Sequence, residues 1–414
     1  MLTLNAFQVL DSRGIPTICA VLKNETGIFT ATVPSGTSSG KFEAVELRDG
    51  GKPFKGKGVT KAIQNVSEIA KKLPSRIYKD QQKLDKLLIS LDGTPNKGKL
   101  GGNALLAVSL VCAKAAAAEN KQQLFEYLST LSKNTPTLPI PTPTVIDGGK
   151  HGGNRLSTQE FLLFPTKFST FADCTTAVAE IYMELQALIL KKFGISATNV
   201  GLEGGFAPPL GKTPAALDLI STAIERAGYA GIVRLGLDVA ASEFYNEKTK
   251  KYNFEGRQLS TEQLVEEYLK LITEYKIISI EDPFDQEDWK GFTQLTKQSK
   301  IQVVGDDLLV TNPARIKQGI AKQAVNSLLL KPNQIGTISE TLAAAKLARS
   351  AGWTVFASHR SGDTEDTFLC DVAAGLACEF AKLGAPCRSE RTSKYNRFLY
   401  LEKFHKVKLA KPKF

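Results

Sequence analysis

Five ionisable groups stand where short apolar runs stop. Arg234–Leu237 runs into Asp238, Ile277–Ile280 into Glu281, Val303-Val304-Gly305 into Asp306, Ser327–Leu330 into Lys331, and Thr354–Phe356 into Ser358-His359-Arg360-Ser361. From Glu281 onward the spacing is about one strand–helix unit each time, and in a βα barrel the C-terminal strand ends ring one mouth. Asp238, Glu281 and Asp306 would then be three hard oxygen ligands facing one centre. Carboxylates without Cys or His select Mg²⁺ over zinc, and their like charges would repel without a cation. A lysine next along that rim, near bound divalent metal and other cations, is expected to have a depressed pKa and to serve as a general base. Arg360 and Ser361 offer a guanidinium fork and a hydroxyl for phosphate.

Other segments resemble site loops. Pro34–Gly40 is a small-residue loop able to close over a ligand, without the GK[ST] ending of a phosphate-binding P-loop. Gly148–Gly153 sets His151 in a glycine-rich loop, and two of the three histidines, His151 and His359, fall in these candidate segments. Glu160 follows Gln159, and Glu203 lies among Gly201, Gly204 and Gly205, on tight backbone that suits an aimed acid.

The elements that must hold these groups are legible. Leu2–Leu10, Pro16–Leu22 and Ile28–Val33 read as strands, with Asn24–Gly27 as a hairpin turn. Apolar residues from Val59 to Leu73 repeat at helical spacing, and Leu84–Leu91 and Asn103–Asn120 continue as helices. Asn134–Pro143 carries four prolines and reads as a stiff extended linker. Beyond it strands and helices alternate, with Thr213 as N-cap of a helix over 214–227 and Ser260–Gln263 as a capping box. The expected class is α/β: an N-terminal α+β unit over 1–130, a linker over 131–143, and a catalytic barrel over 144–414 with a basic, solvated tail over 405–414.

Composition excludes several classes. At 414 residues, 42% hydrophobic and 23% charged, the chain is globular and not fibrous or disordered. The net charge of +11 fits an anionic substrate, and no interleaved run of lysines and aromatics points to nucleic acid. Six scattered cysteines suit a reducing cytoplasm. No leader peptide is apparent, and Ala104–Ala118 is short and interrupted for a membrane span.

Taken in order, Asp11–Gly14, Ser35–Gly40, Gly148–Gly153, Gln159-Glu160, Glu203–Gly205, Ser279–Phe284, Asp306-Asp307, Leu328–Lys331, Asn333–Thr337, Ser358–Gly362, Thr364–Phe368 and Arg388–Arg391 resemble the enolases, the glycolytic 2-phosphoglycerate dehydratases. The match runs from about Leu10 to Glu402. The resemblance implies an N-terminal three-stranded antiparallel sheet with helices, a C-terminal (β/α)8 barrel with an irregular ββαα start, a homodimer, and two Mg²⁺ ions per site. It implies Lys331 as the base that takes the carbon-bound proton and Glu203 as the acid at the leaving hydroxyl, supported by Glu160. Asp238, Glu281 and Asp306 would hold one Mg²⁺ and Ser38 the second, with Glu281 and Asp306 also near substrate. His151, Ser358, His359, Arg360 and Ser361 would hold the substrate, and Lys382 would face its carboxylate.

The chain departs from the family pattern at Ile15, at Pro332 and at Leu202, where an acidic residue usually precedes the catalytic glutamate. The segment Ser242–Gln258 also reads as a trimmed loop. A different chemistry on a related barrel, such as a racemase, would place its base elsewhere. An enolase-derived binding or structural protein is the alternative reading, and Leu202 is its one support.

Overall fold

A computed structural model describes residues 3–37, 40–74 and 76–412. Strands β1 (Thr3–Leu10), β2 (Pro16–Lys23) and β3 (Ile28–Thr32) form an antiparallel sheet in that order. The turn after β1 is set by Asp11, whose carboxylate accepts the backbone N–H groups of Arg13 and Ile15. Asn24 does the same after β2, its side-chain oxygen accepting from Thr26 and Gly27, so the hairpin lies where the sequence puts it. Helices α1 (Thr60–Lys72), α2 (Gln81–Asp92), α3 (Gly102–Glu119) and α4 (Leu124–Ser132) complete this unit. Helix α3 is apolar over a length that could span a membrane, but 83% of it is buried inside the protein, as befits a core helix.

The proline-rich stretch is extended, as its prolines dictate, yet it is not a free linker. It carries β4 (Thr137–Leu138) and β5 (Ile140–Pro141). Prolines lack a donor, so the intervening residues do the pairing: Ile140 and Thr142 donate to the carbonyls of Glu379 and Ala381. Then follow β6 (Thr144–Asp147), a single turn α5 (Gly149–Gly152), β7 (Glu160–Phe164), α6 (Phe171–Phe193), α7 (Thr213–Arg226) and β8 (Arg234–Asp238). A small meander, β9 (Tyr245–Asn246), β10 (Lys251–Phe254) and β11 (Arg257–Leu259), occupies the segment expected as a trimmed loop. The remaining units are α8 (Thr261–Tyr275), β12 (Ser279–Glu281), α9 (Trp289–Ser299), β13 (Gln302–Gly305), α10 (Pro313–Lys322), β14 (Ser327–Leu330), α11 (Pro332–Ile335), α12 (Ile338–Ser350), β15 (Thr354–Ser358), α13 (Phe368–Gly375), β16 (Phe380–Lys382), α14 (Ser389–His405) and β17 (Lys408–Leu409).

The large sheet runs β5-β16-β15-β14-β13-β12-β8-β7-β6. Because β5 and β6 are successive pieces of one bent segment, the sheet's two ends meet and it curls into a barrel. The β6–β7 and β7–β8 pairs are antiparallel, whereas β8 through β16 and on to β5 are parallel. The chain is therefore mixed α/β, with a three-stranded antiparallel sheet and helices followed by a barrel with the expected ββαα start. Phe164, Phe356 and Phe380 pack ring to ring, the last two stacked at 4.5 Å, and fill the barrel away from its mouth.

Two local expectations need correction. Thr213 is the first helical residue of α7 and Lys212 precedes it as cap. The Thr213 hydroxyl is buried against that of Thr158 instead, 2.8 Å away, and so is not free to cap. The basic tail is not simply a solvated end. Lys408–Leu409 pairs with Thr137–Leu138, and Val407, Leu409 and Ala410 are buried. The capping box at α8 is present: the Ser260 hydroxyl accepts the Gln263 N–H and the Gln263 side chain accepts that of Ser260.

The first unit grips the barrel near its functional rim. The N-terminus of α12 donates from Ser339 to the Asp85 carboxylate and from Ile338 to the Ser109 hydroxyl, and Lys97 pairs with Glu340 at 2.9 Å. This fixes the helix that follows Lys331 and α11.

Candidate active site

Parallel strands bring their C-terminal residues to one end, so Asp238, Glu281, Asp306, Lys331, Ser358 and Lys382 meet at the barrel mouth. Register sets the neighbours: Asp238 lies beside Glu281, and Ser358 beside Lys382. Strand β7 runs the other way, so its first residue reaches the mouth. Glu160 consequently pairs with Asp147 on one side and Asp238 on the other. Glu160, Asp238, Asp306, Lys331, Ser358 and Lys382 line a single cleft with His151, Gln159, Glu203, His359, Arg360 and Ser361, and Glu281 stands behind them against Lys382. The structure thus assembles every sequence-predicted site residue except Ser38, which lies outside the described residues.

The cleft is organised around two buried ammonium groups. Lys382 donates to Asp238 at 2.6 Å and to Glu281 at 3.0 Å, and lies 3.2 Å from Glu160. Lys331 pairs with Asp306. The depression expected of Lys331 belongs to the metal-bound site; with carboxylates alone beside it, burial pushes its pKa down, but Asp306 and Glu281 together hold the group above the ordinary lysine value. Burial pushes Asp238 up to about 6 and Glu281 well above the usual carboxylate range, against the pull of Lys382. A set of buried carboxylates so reluctant to ionise is a place where added positive charge is favoured.

Among the described residues, two groups bring three ligand atoms within 4.8 Å of one another: His151, Glu160 and Glu203, and Asp282, Asp306 and Asp307. Of the expected metal set, Asp306 falls in the second group, while Asp238 and Glu281 are bridged by Lys382. All the carboxylates around Lys382 and Lys331 are oxygen donors, and no cysteine joins them, so the donor chemistry suits a hard divalent cation.

Glu203 faces a second set of partners. Its carboxylate is 2.7 Å from His359 Nε2, and 3.6 Å from His151 Nδ1. Burial raises its pKa, but the two imidazoles and Arg391 more than compensate and hold it well below the usual carboxylate range. The Arg391 guanidinium, fully buried, donates to His359 Nδ1 at 2.7 Å. A guanidinium only donates, so Nδ1 must accept, and the ring proton sits on Nε2, donating to Glu203. Burial and the Arg391 charge keep His359 below the ordinary histidine value, in agreement with a neutral ring. His151 behaves oppositely. Burial lowers it, but Glu203 and Glu160 raise it to about 9.

Arg391, Asp147 and Gln334 belong to this machinery and were not assigned roles from sequence. Arg391 also donates to the carbonyls of Arg360, Ser361 and Leu202. The signal for it was the Arg388–Arg391 motif. Asp147 accepts the Glu203 backbone N–H at 3.1 Å, so a buried carboxylate stands beside Glu203 even though Leu202 is apolar. Leu202 contributes backbone, its N–H donating to the His151 carbonyl.

The first unit reaches over the mouth. Ser35 and Gly362 exchange backbone hydrogen bonds at 2.7 and 2.9 Å, the Ser361 hydroxyl donates to Thr37 at 2.8 Å, and Arg360 donates to Glu43 at 3.0 Å. Ser358 turns its hydroxyl onto the His359 carbonyl.

Known proteins resemble this chain over nearly its whole length. Residues 2–128 match the family model "Enolase, N-terminal domain", and residues 135–408 match "Enolase, C-terminal TIM barrel domain". The chain is 48% identical over 419 residues to an enolase of Solanum lycopersicum, covering 97% of this chain and 94% of that protein.

Proposed function

The chain belongs to the enolase family, lyases of the phosphopyruvate hydratase type, and we propose that it interconverts 2-phospho-D-glycerate and phosphoenolpyruvate in a Mg²⁺-dependent reaction. One observation carries the assignment of roles: Lys331 and Glu203 line the same cleft, each fixed by its own charged partners. Lys331 is the base for the proton next to the substrate carboxylate, and Glu203 is the acid at the hydroxyl, with Glu160 and His151 beside it. As an anion in this structure, Glu203 is directly suited to the hydration direction, where it would take a proton from water; for dehydration it must first gain one. Arg360 and Ser361, with His359, are placed for the phosphate, and Lys382 for the carboxylate.

Asp238, Glu281 and Asp306 are the residues we assign to Mg²⁺, with Ser38 as the ligand of a second ion. When bound, Mg²⁺ would neutralise the charge that builds on the substrate carboxylate and compete with the lysines for these carboxylates. Lys331 needs that release, because its pairing with Asp306 keeps it protonated. The removed proton is very weakly acidic, so the cationic wall of Lys382 and Arg360 matters as much as the base itself.

We assign residues 1–130 to a capping unit and 144–414 to the catalytic barrel, and place the protein in the cytoplasm, in keeping with free cysteines among the described residues. A homodimer is proposed from the membership in the enolase family.

The test is the ultraviolet absorbance rise as the conjugated enol forms from 2-phosphoglycerate, with and without Mg²⁺, beside Lys331→Ala. A Mg²⁺-dependent rise that the substitution abolishes establishes reaction and base. A flat trace from folded wild-type protein with Mg²⁺ overturns the assignment and favours a binding role.

A further inference from the structure

The turn that follows Asp306 is strained. Val310 and Thr311 both take left-handed backbone, with φ of 43° and 54°, a conformation that β-branched residues rarely adopt. Its effect is to aim the fully buried Thr311 hydroxyl between two segments. That hydroxyl accepts the backbone N–H of Lys331 at 2.9 Å. Its single proton goes to Gln334 Oε1 at 2.9 Å, the nearer of two acceptors, with the Leu329 carbonyl at 3.4 Å.

The consequence is a fixed amide. With its oxygen committed to Thr311, Gln334 must present its NH₂ group to the other side. There it donates to Asp306 Oδ1 at 2.7 Å and, at 3.4 Å, to Glu43. The remaining oxygen of Asp306 faces the Lys331 ammonium. A chain of three hydrogen bonds therefore runs from the Lys331 backbone through Thr311 and Gln334 to the Asp306 carboxylate. Neither Thr311 nor Gln334 lines the cleft formed by the reacting groups.

We propose that Thr311 and Gln334 are a positioning pair that holds the carboxylate plane of Asp306 and the backbone of Lys331 in one mutual orientation. The inference rests on the roles assigned above to Asp306 and Lys331. A carboxylate that exchanges a lysine for a cation keeps one oxygen anchored throughout, so the exchange does not cost the site its geometry.

The experiment uses the full chain and four variants. Thr311→Val removes the hydroxyl at nearly constant shape, Thr311→Ser restores it, Gln334→Met removes the amide, and the fourth combines Thr311→Val with Gln334→Met. Mg²⁺ binding is measured by titration calorimetry without substrate, kcat and KM by enol absorbance, and folding by circular dichroism and thermal melting. We expect Thr311→Val and Gln334→Met each to lose about 10–100-fold in Mg²⁺ affinity and in kcat, with KM nearly unchanged and Thr311→Ser close to wild type. The double variant should be little worse than the weaker single one, because the pair acts as a unit. Wild-type values for Thr311→Val and Gln334→Met overturn the proposal. So does a Thr311→Ser protein as impaired as Thr311→Val, or losses that multiply in the double variant. Wild-type protein that takes up no Mg²⁺ defeats the metal assignment alone, and the pair is then judged on the kcat ratios.

Discussion

Arg391→Met tests the buried scaffold behind Glu203. The guanidinium makes four hydrogen bonds: to the Arg360 carbonyl and His359 Nδ1 at 2.7 Å, to the Ser361 carbonyl at 2.8 Å, and to the Leu202 carbonyl at 3.1 Å. Methionine has similar reach and no donor. Each buried acceptor left bare costs about 1–3 kcal/mol. Simple addition overshoots, because the site relaxes and admits water, and deletions of one buried ionic partner cost about 3–5 kcal/mol. Asp363, 3.6 Å from Arg391, keeps Lys394 at 3.1 Å and is not orphaned. A loss of about 3–5 kcal/mol should lower the melting of the barrel by about 6–10 °C, at about 2 °C per kcal/mol for a unit of this size. Catalysis should suffer separately. Without a donor at Nδ1, His359 is free to change tautomer, and Glu203 loses its fixed partner, so kcat should fall about 10–100-fold with a smaller change in KM. The assays are calorimetric melting and enol absorbance on the same preparation. An Arg391→Met protein that melts with wild type and turns over normally would refute the argument that this guanidinium sets the ring.

Gly152→Ala should cripple turnover more than folding: a Cβ there would lie 2.1 Å from the Asp147 carbonyl oxygen, so the turn carrying His151 must move, and enol absorbance against thermal melting will separate the two effects. His151 gives a pH signature. Its folded pKa of about 9 lies above the ordinary histidine value of 6.5, so its contribution to stability is full below about pH 6.5 and disappears as pH rises through 9. The difference in unfolding midpoint between wild type and His151→Asn should therefore shrink from pH 6 to pH 10, and a difference that stays constant would rule out a charged His151.

Much of the fold and site could be read from the chain because the chemistry repeats with the architecture. Each apolar strand announces its end with a polar residue, and one strand–helix unit later the next does the same, so Asp238, Glu281, Asp306 and Lys331 were legible as a ring. Glu160 escapes that rule, since β7 is antiparallel and presents its first residue to the mouth. It was found through its loop instead. Arg391 and Gln334 act through other side chains, so the motifs that contain them, Arg388–Arg391 and Asn333–Thr337, marked their place but not their task. Spacing could not show which carboxylate Lys331 touches; it pairs with Asp306. The proline run was rightly read as extended, but its hydrogen bonds to Glu379 and Ala381 depend on residues far along the chain.

That last pairing has a bearing on how the protein is made. Among the described residues, strand β5 finds its neighbour in β16 and β4 in β17. On a ribosome, residues 140–141 emerge long before residues 380–382 and 408–409 exist. The first unit has its sheet and helices complete by Ser132, so it can fold while synthesis continues. The barrel cannot shut until its last strands have been translated, and through that interval the edge of β5 stays open. Parallel, long-range pairing of this kind is slow to form and exposed to wrong partners. Prolines at 139, 141 and 143 blunt one side of this stretch, because alternate residues point their N–H groups the same way and that side then has no donors to offer a wrong strand.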